Sequence, residues 1–198
     1  MTLEQIIARC LKIGINCLAI TDHNTIAGAL RMKEMAPFPI IVGEEILTSD
    51  GEVIGLFLSQ EIPSKLSIEE TISQIKAQDG LVCIPHPYDR LRLSIFKNQI
   101  FESIMPEVDI IEVFNARSLS PNSSTRAWHL AHKYGKLASA GSDAHTPSEI
   151  GNAYVEMPKF TGKGEFLASL AQGKISGNKS NPTVHFASIW ARLKKHVS

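Results

Sequence analysis

Residues that could bind a metal ion stand at the ends of five apolar runs of strand length. The clearest is the pair Asp143 and His145, which follows the run LASAG. A carboxylate and an imidazole two residues apart at a strand end are typical of a metal site, because both groups bind divalent cations. The same pattern gives His23 after LAI, Glu44 and Glu45 after PIIVG, His86 after LVCI and Asn115 at the end of DIIEVF.

The elements that must position these residues alternate between strands and helices, which predicts an α/β fold. We expect helices from Thr2 to Gly14 and at 24–36, 67–78, 91–106, 125–134 and 164–172, with an amphipathic C-terminal helix at about 183–197. Strands are expected at CLAIT, FPIIVGEEIL, EVIGLFL, LVCIP, DIIEVFN, LASAG and NAYVEMP, with a hairpin at 46–58. In a barrel or doubly wound sheet the carboxyl ends of parallel strands share one side, so the polar residues should meet there.

Length, charge and cysteine content favour a single domain in a reducing compartment. The 198 residues are 43% hydrophobic and 20% charged, which suits one globular domain over residues 1–198. Lys and Arg total 20, as do Asp and Glu, so no global field attracts nucleic acid or an anionic membrane. The three cysteines show neither CxxC spacing nor a disulfide pattern. Without an apolar run of about 20 residues or a signal sequence, we expect a soluble cytoplasmic protein.

Several motifs, in this order, resemble those of the PHP family, the polymerase and histidinol phosphatase domains, and specifically its stand-alone phosphoesterase-like members. They are TDHNTIAG, GEEI followed by GEVIGLF, IPHPYDR, IEVFNARS and GSDAHTPSEIGNAYVEMP, and they cover nearly the whole chain. The resemblance implies a distorted β/α barrel, similar to a TIM barrel and seven-stranded in the family. It also implies a centre of two or three metal ions that hydrolyses phosphate esters.

The resemblance also implies roles for single residues. His23 matches the ligand in the family's TDH motif, and Glu45 matches the carboxylate that bridges two metals. Asp22 is expected to orient His23 or a bound water. The remaining implied ligands are His86 in IPHP, Asp143 and His145 in the terminal Asp-x-His pair, and Asn115, which is near a position where family members place a further ligand.

One part of the family pattern has no counterpart in this sequence. The family opens with a strand bearing His-x-His, and this chain, which contains no His-x-His, starts at the helix that follows it. We therefore expect a barrel without its first strand and a metal site without two imidazoles. No ligand is expected at Val53 and Ile54, where relatives often carry a His. The exposed strand edges should pair in a homodimer or be covered by the C-terminal helix.

The residues fit the hydrolysis of a small phosphorylated metabolite or a nucleotide. Two or three divalent cations would lower the pKa of a bridging water to about 7 and hold the phosphoryl oxygens. Glu45 and Asp143 supply the negative charge that keeps cations close together, and they are the expected catalytic carboxylates. The imidazoles favour Zn²⁺, Mn²⁺ or Fe²⁺ over Mg²⁺ or Ca²⁺. Arg90 and Arg117, just beyond strand ends, are the expected substrate-binding residues.

Two other functions are compatible with the sequence. A metal-dependent amidohydrolase also uses His and Asp at barrel strand ends, although two arginines near the centre favour phosphate over amide. The second possible function is that of a truncated PHP domain. Such a domain would bind metal weakly and be inert or serve as an interaction module. For single residues the plainer alternatives are a rigid turn with an exposed imidazole at His86 and surface ion pairs at Arg90 and Arg117.

Overall fold

A computed structural model describes residues 1–89 and 102–180 of the chain. Three predictions fall outside the described residues: the role of Arg90, most of the helix at 91–106, and the C-terminal helix at about 183–197. Among the helices in the described ranges, none is long and apolar enough to cross a membrane.

A six-stranded sheet forms the centre of the fold, with its strands in the same order in space as in the chain. They are β1 (Leu18–His23), β2 (Ile40–Leu47), β3 (Glu52–Leu56), β4 (Leu81–Ile84), β5 (Ile110–Asn115) and β6 (Leu137–Gly141). Only β3 runs antiparallel to its neighbours, and the β2–β3 pair confirms the predicted hairpin. The carboxyl ends of the five parallel strands therefore lie on one side of the sheet, as the sequence predicts.

Five complete helices among the described residues connect or flank these strands. They are α1 (Leu3–Ile13), α2 (Ala27–Met35), α3 (Ile68–Ala77), α4 (Ser123–Tyr134) and α5 (Gly162–Leu170). The capping boxes of α1 and α3 form as expected, at Thr2 with Gln5 and at Ser67 with Glu70. Helix α2 begins later than predicted, because the Asn24 side chain accepts a hydrogen bond from Leu47 N at 2.9 Å and so joins β1 to β2.

A second, two-stranded antiparallel sheet is formed by β7 (Ala153–Glu156) and β8 (Lys174–Gly177). The sequence predicts β7 but not β8, since the four residues KISG have too short an apolar pattern to indicate a strand. Backbone pairing with β7 decides the conformation of this segment. The 3₁₀ turns Met105–Glu107 and Pro147–Glu149 complete the described elements.

The sheet is curved, with a buried middle and partly exposed edges. Every residue of β4 is buried, whereas every residue of β6 is only partly buried and β1 has exposed positions. The curvature brings His23, at the end of β1, close to His145, which follows β6, with ring centroids 6.5 Å apart. The result is a mixed α/β fold whose described strands form a curled half-barrel rather than a closed barrel.

Candidate metal centre

Glu45 stands between two imidazoles at the carboxyl end of the sheet. Its Oε2 lies 3.2 Å from His23 Nδ1, and its Oε1 lies 3.0 Å from His86 Nε2. Each carboxylate oxygen therefore faces a different imidazole. Such a carboxylate could hold two cations, and one imidazole would be a further donor to each of them.

Strand pairing explains how His23 reaches Glu45. The parallel register of β1 and β2 places His23 directly beside Glu45, and paired residues on adjacent strands project from the same face. The His23 side chain is 43% exposed, whereas that of Glu45 is 10% exposed. His23 therefore lies at the rim of the site and Glu45 inside it.

His86 is held in a conformation that a residue with a side chain rarely adopts. Its φ is 28°, and it lies between Pro85 and Pro87, which restrict the backbone on both sides. Its backbone N–H donates a hydrogen bond to Glu112 Oε2 at 2.9 Å. The alternative interpretation of His86 was a rigid turn with an exposed imidazole. The prolines do restrict the turn, but the imidazole is only 6% exposed. Strain maintained by several constraints is common at functional sites.

Two glutamates that the sequence reasoning missed belong to this group. Glu52 lies at the start of β3, with its Oε2 3.8 Å from His86 Nε2. Glu112 lies within β5 and accepts hydrogen bonds from the His86 N–H and from Asn115 Nδ2. The signal for Glu112 was a charged residue inside the apolar run DIIEVF. The signal for Glu52 was its place in the hairpin, two residues before Ile54, which is opposite Glu45.

Asp143, His145 and Asn115 form a second group at the ends of β5 and β6. The Asn115 amide nitrogen lies 3.4 Å from Asp143 Oδ2, and His145 Nδ1 lies 3.6 Å from Asp143 Oδ1. His145 Nδ1 is also 2.9 Å from the backbone oxygen of Asp143. In the tautomer that donates the Nδ1 proton to this carbonyl, Nε2 carries the lone pair that binds a metal.

Asn115 is also committed to hydrogen bonds within the protein. Its side-chain oxygen accepts from Arg117 N at 2.9 Å, while its amide nitrogen donates to Glu112 at 3.0 Å. The backbone oxygens of Asn115 and Ser118 accept hydrogen bonds from Lys179 Nζ at 3.1 and 2.9 Å. These contacts fix the loop after β5 relative to Asp143.

Arg117 is buried, so it does not form the surface ion pair of the alternative interpretation. Its Nη1 donates a hydrogen bond of 2.7 Å to Glu149 Oε1, and both side chains are at most 4% exposed. Glu149 Oε2 accepts three more hydrogen bonds, from the backbone N–H groups of His145 and Thr146 and from the Thr146 hydroxyl. This ion pair anchors the loop that carries Asp143 and His145.

The neighbouring acidic residues Asp22 and Glu44 face away from the imidazoles. Asp22 lies on the other face of β1, with a carboxylate oxygen against Gly28 of α2. Glu44 is fully buried and accepts a hydrogen bond from Ile62 N at 2.9 Å. Its second oxygen, Oε1, has no hydrogen-bond partner among the described residues, and burial raises the pKa of this carboxyl above its ordinary value. Of the glutamate pair, Glu45 is the member that faces His23 and His86.

The side chains of this site have the donor chemistry of a divalent metal centre. Atoms of His23, Glu45 and Glu52 lie within 4.8 Å of one another, and His86 adds a second imidazole. Imidazole nitrogens and carboxylate oxygens together suit first-row divalent cations. The residues present therefore fit such an ion.

Comparison with known proteins relates the chain to one family. Residues 121–175 match the family model described as PHP-associated. An uncharacterized protein of Methanocaldococcus jannaschii is 38% identical over 154 residues, which cover 76% of this chain and 61% of that protein. A second protein of the same organism is 45% identical over 108 residues, covering 53% of this chain and 61% of its own length. The chain thus spans about three fifths of the length of the curated relatives it matches.

Solved structures share the fold at low sequence identity. A two-domain protein from Bacteroides vulgatus containing a predicted PHP-like metal-dependent phosphoesterase gives a TM-score of 0.69, with 14% identity, over 88% of this chain and 60% of that one. An amidohydrolase from Chromobacterium violaceum, solved with bound sulfate and no metal, gives a TM-score of 0.59, with 16% identity, over 75% of this chain and 84% of that one. The match at residues 121–175 to the PHP-associated model supports the resemblance to the PHP family over that part of the chain, and the shared fold agrees with it.

Proposed function

We propose that the chain is a metal-dependent phosphoesterase that hydrolyses a small phosphorylated metabolite or a nucleotide. The observation that carries the proposal is the position of Glu45 between His23 and His86, with one carboxylate oxygen toward each imidazole. Asp143 and His145 supply further donors beside this group, since the His23 and His145 rings are 6.5 Å apart. The Bacteroides vulgatus neighbour, which contains a predicted phosphoesterase, supports the same reaction class.

These side chains would hold two divalent cations, of Zn²⁺, Mn²⁺ or Fe²⁺. Bound cations would supply positive charge for the phosphoryl oxygens and lower the pKa of a water to about 7. Glu45 would contribute one oxygen to each position, beside His23 and His86. Asp143 and His145 are proposed as ligands on the β6 side, and Asn115 holds Asp143 in place through its amide.

The two arginines have different proposed roles. Arg90, directly after Asp89 in the segment that follows His86, stays the candidate for anchoring the substrate phosphate. Arg117 would have to leave its buried pair with Glu149 to bind a phosphate with the same nitrogen. We therefore assign Arg117 a positioning role through the loop that carries Asp143 and His145.

Phosphate release from a panel of phosphomonoesters and nucleotides tests the proposal. The purified chain is loaded with Mn²⁺ or Zn²⁺ and compared with Glu45→Gln and Asp143→Ala, while Glu34→Gln, an exposed glutamate on α2, is the control for lost charge. The proposal predicts turnover in the wild type and in Glu34→Gln, and a loss of at least a hundredfold in the two site variants. Equal rates in all four proteins, or no turnover with any ester, would contradict it.

A metal-dependent amide hydrolase is the second candidate, and the fold of the Chromobacterium violaceum amidohydrolase favours it. The same imidazoles and carboxylates could bind cations for amide hydrolysis. A parallel panel of amide substrates separates the two candidates. Turnover of amides without phosphate release would replace the leading proposal, whereas metal binding without either activity would indicate a non-catalytic domain.

We also propose that the partly exposed edge strands pair between two chains. Residues of β1 and β6 are less buried than those of β4 and β5, and a strand edge presents unpaired backbone groups. Light scattering coupled to gel filtration should give the mass of a homodimer. A monomer at all concentrations would contradict this proposal.

A further inference from the structure

We propose that Glu52 is a metal ligand and that, with His23, Glu45 and His86, it gives this chain a four-donor site of two imidazoles and two carboxylates. The proposal concerns metal binding alone. It therefore stands apart from the question of which bond the protein hydrolyses.

The distances among the four side chains fit donors shared by the two cation positions on either side of Glu45. His23, Glu45 and Glu52 each offer an atom within 4.8 Å of the others. His86 Nε2 lies 3.0 Å from Glu45 Oε1 and 3.8 Å from Glu52 Oε2. Two ligands about 2.1 Å from a tetrahedral ion are about 3.4 Å apart, so these positions lie close to the required geometry.

The β2–β3 hairpin directs Glu52 to this place. In the antiparallel register Ile54 is opposite Glu45, and Glu52 is opposite Leu47. Residues two apart on a strand share a face, so Glu52 projects from the same face as Glu45, two pairs along. The turn before Glu52 is well defined, because the Thr48 hydroxyl oxygen accepts hydrogen bonds from the N–H groups of Asp50 and Gly51, both at 3.0 Å.

Burial and charge give a reason for a cation at this point. The side chains of Glu45 and Glu52 are only 10% and 16% exposed, so water screens them poorly from each other. Two close carboxylates in such surroundings repel each other. Divalent cations held between these side chains would neutralise both charges, with the imidazoles as further donors. The buried His86 side chain, 6% exposed and directed at both glutamates, is an independent sign of a built site.

The donor set also predicts which metals are preferred. Carboxylate oxygens suit Mn²⁺ better than thiolate sulfurs do, and imidazole nitrogens suit Zn²⁺ and Fe²⁺. A second carboxylate in place of a third imidazole should shift the preference of the site toward Mn²⁺ and Fe²⁺. The sequence predicts no ligand at Val53 and Ile54, and Glu52 directly precedes them.

Metal titration of the full chain tests the inference without any activity assay. Mn²⁺ affinity is measured by calorimetry, and the visible absorption of bound Co²⁺ reports the number and geometry of its ligands. We expect Glu52→Gln to raise the Mn²⁺ Kd at least tenfold, as losing a site residue does, and to change the Co²⁺ spectrum. Glu45→Gln is the positive control, and Glu34→Gln should match the wild type in both measurements.

Three results would overturn the inference. They are a wild-type Kd and Co²⁺ spectrum in Glu52→Gln, an equal effect in Glu34→Gln, and no binding of either metal by the wild type. Should Glu52→Gln fail to fold, the same readouts apply to Glu52→Asp, whose shorter carboxylate must alter the Co²⁺ spectrum if residue 52 is a ligand. If the chain passes these tests but releases no phosphate, only the proposed phosphoesterase function is contradicted.

Discussion

His23 and His145 belong to opposite edges of the six-stranded sheet, yet their ring centroids are only 6.5 Å apart. The distance across a flat sheet of six strands would be about 24 Å, at about 4.8 Å per strand. Curvature of the sheet therefore assembles the candidate metal centre from residues at both edges. Anything that straightens the sheet should separate Asp143 and His145 from the group around Glu45.

Gly141 is the position where a small change should disturb the site most selectively. A Cβ added at Gly141 would overlap Glu112 Oε1, and Glu112 holds both the His86 N–H and the Asn115 amide. We expect Gly141→Ala to lower the free energy of unfolding by about 1–3 kcal/mol, the usual cost of overpacking. Urea unfolding of the variant and the wild type measures this difference in free energy.

The matched control for Gly141→Ala is Gly164→Ala. Gly164 lies in α5 and has no atom within 4 Å of an added Cβ. Alanine favours a helix over glycine by up to about 1 kcal/mol, so this variant should be as stable as the wild type or more stable. A Gly141→Ala protein as stable as Gly164→Ala would contradict the packing described around Glu112.

The buried pair Arg117–Glu149 should be essential to stability. Replacing Arg117 by Met leaves Glu149 as an uncompensated buried charge, which costs about 3–5 kcal/mol of unfolding free energy. The comparison is Lys133→Met, which removes the exposed pair of Lys133 with Glu102, 4.0 Å apart, and should leave stability unchanged. If the two variants unfold at the same denaturant concentration, Arg117 is not the anchor of the loop.

The cysteines should be inert at neutral pH in the folded protein. Burial raises the pKa values of the Cys10 and Cys17 thiols above their ordinary value of 9.0, and that of buried Cys83 is raised further by the Glu112 charge. The thiolate is the reactive form, so the native protein should react with a disulfide reagent more slowly at pH 8 than a free cysteine does.

The same pKa shifts fix the direction of a pH effect on stability. A thiol whose pKa is raised by folding stabilises the native state fully below the ordinary pKa, and this contribution is lost as the pH rises through the folded value. The free energy of unfolding should therefore fall above about pH 9. All three free thiols should react once the protein is denatured. Rapid labelling of native Cys83 at pH 8 would disprove this prediction.

Local patterns were enough to predict most of the fold. Capping boxes at Thr2 and Ser67, together with Gly14 at the end of α1, mark helix boundaries that depend only on neighbouring residues. The hairpin around Asp50 and Gly51 also depends on local turn chemistry. The strand β8 depends instead on backbone pairing with distant β7, and the start of α2 depends on a bond from Asn24 to Leu47, so neither could be obtained from local sequence.

The candidate site was predictable only where residues stand at strand ends. His23, Glu45 and His86 could be grouped because parallel strands end on one side of the sheet. Glu52 starts an antiparallel strand, so the same rule excluded it. The partner of Arg117 is Glu149, distant in sequence and fixed by tertiary packing, and no spacing rule connects the two residues.

The number of metal ions bound per chain decides whether Glu45 joins two metal positions. Elemental analysis after loading with Mn²⁺ or Zn²⁺ and removal of free metal should find two ions in the wild type and in Glu34→Gln. Because Glu45 faces both His23 and His86, Glu45→Gln should retain one ion at most. Two ions in Glu45→Gln, or none in the wild type, would show that Glu45 does not join two metal positions.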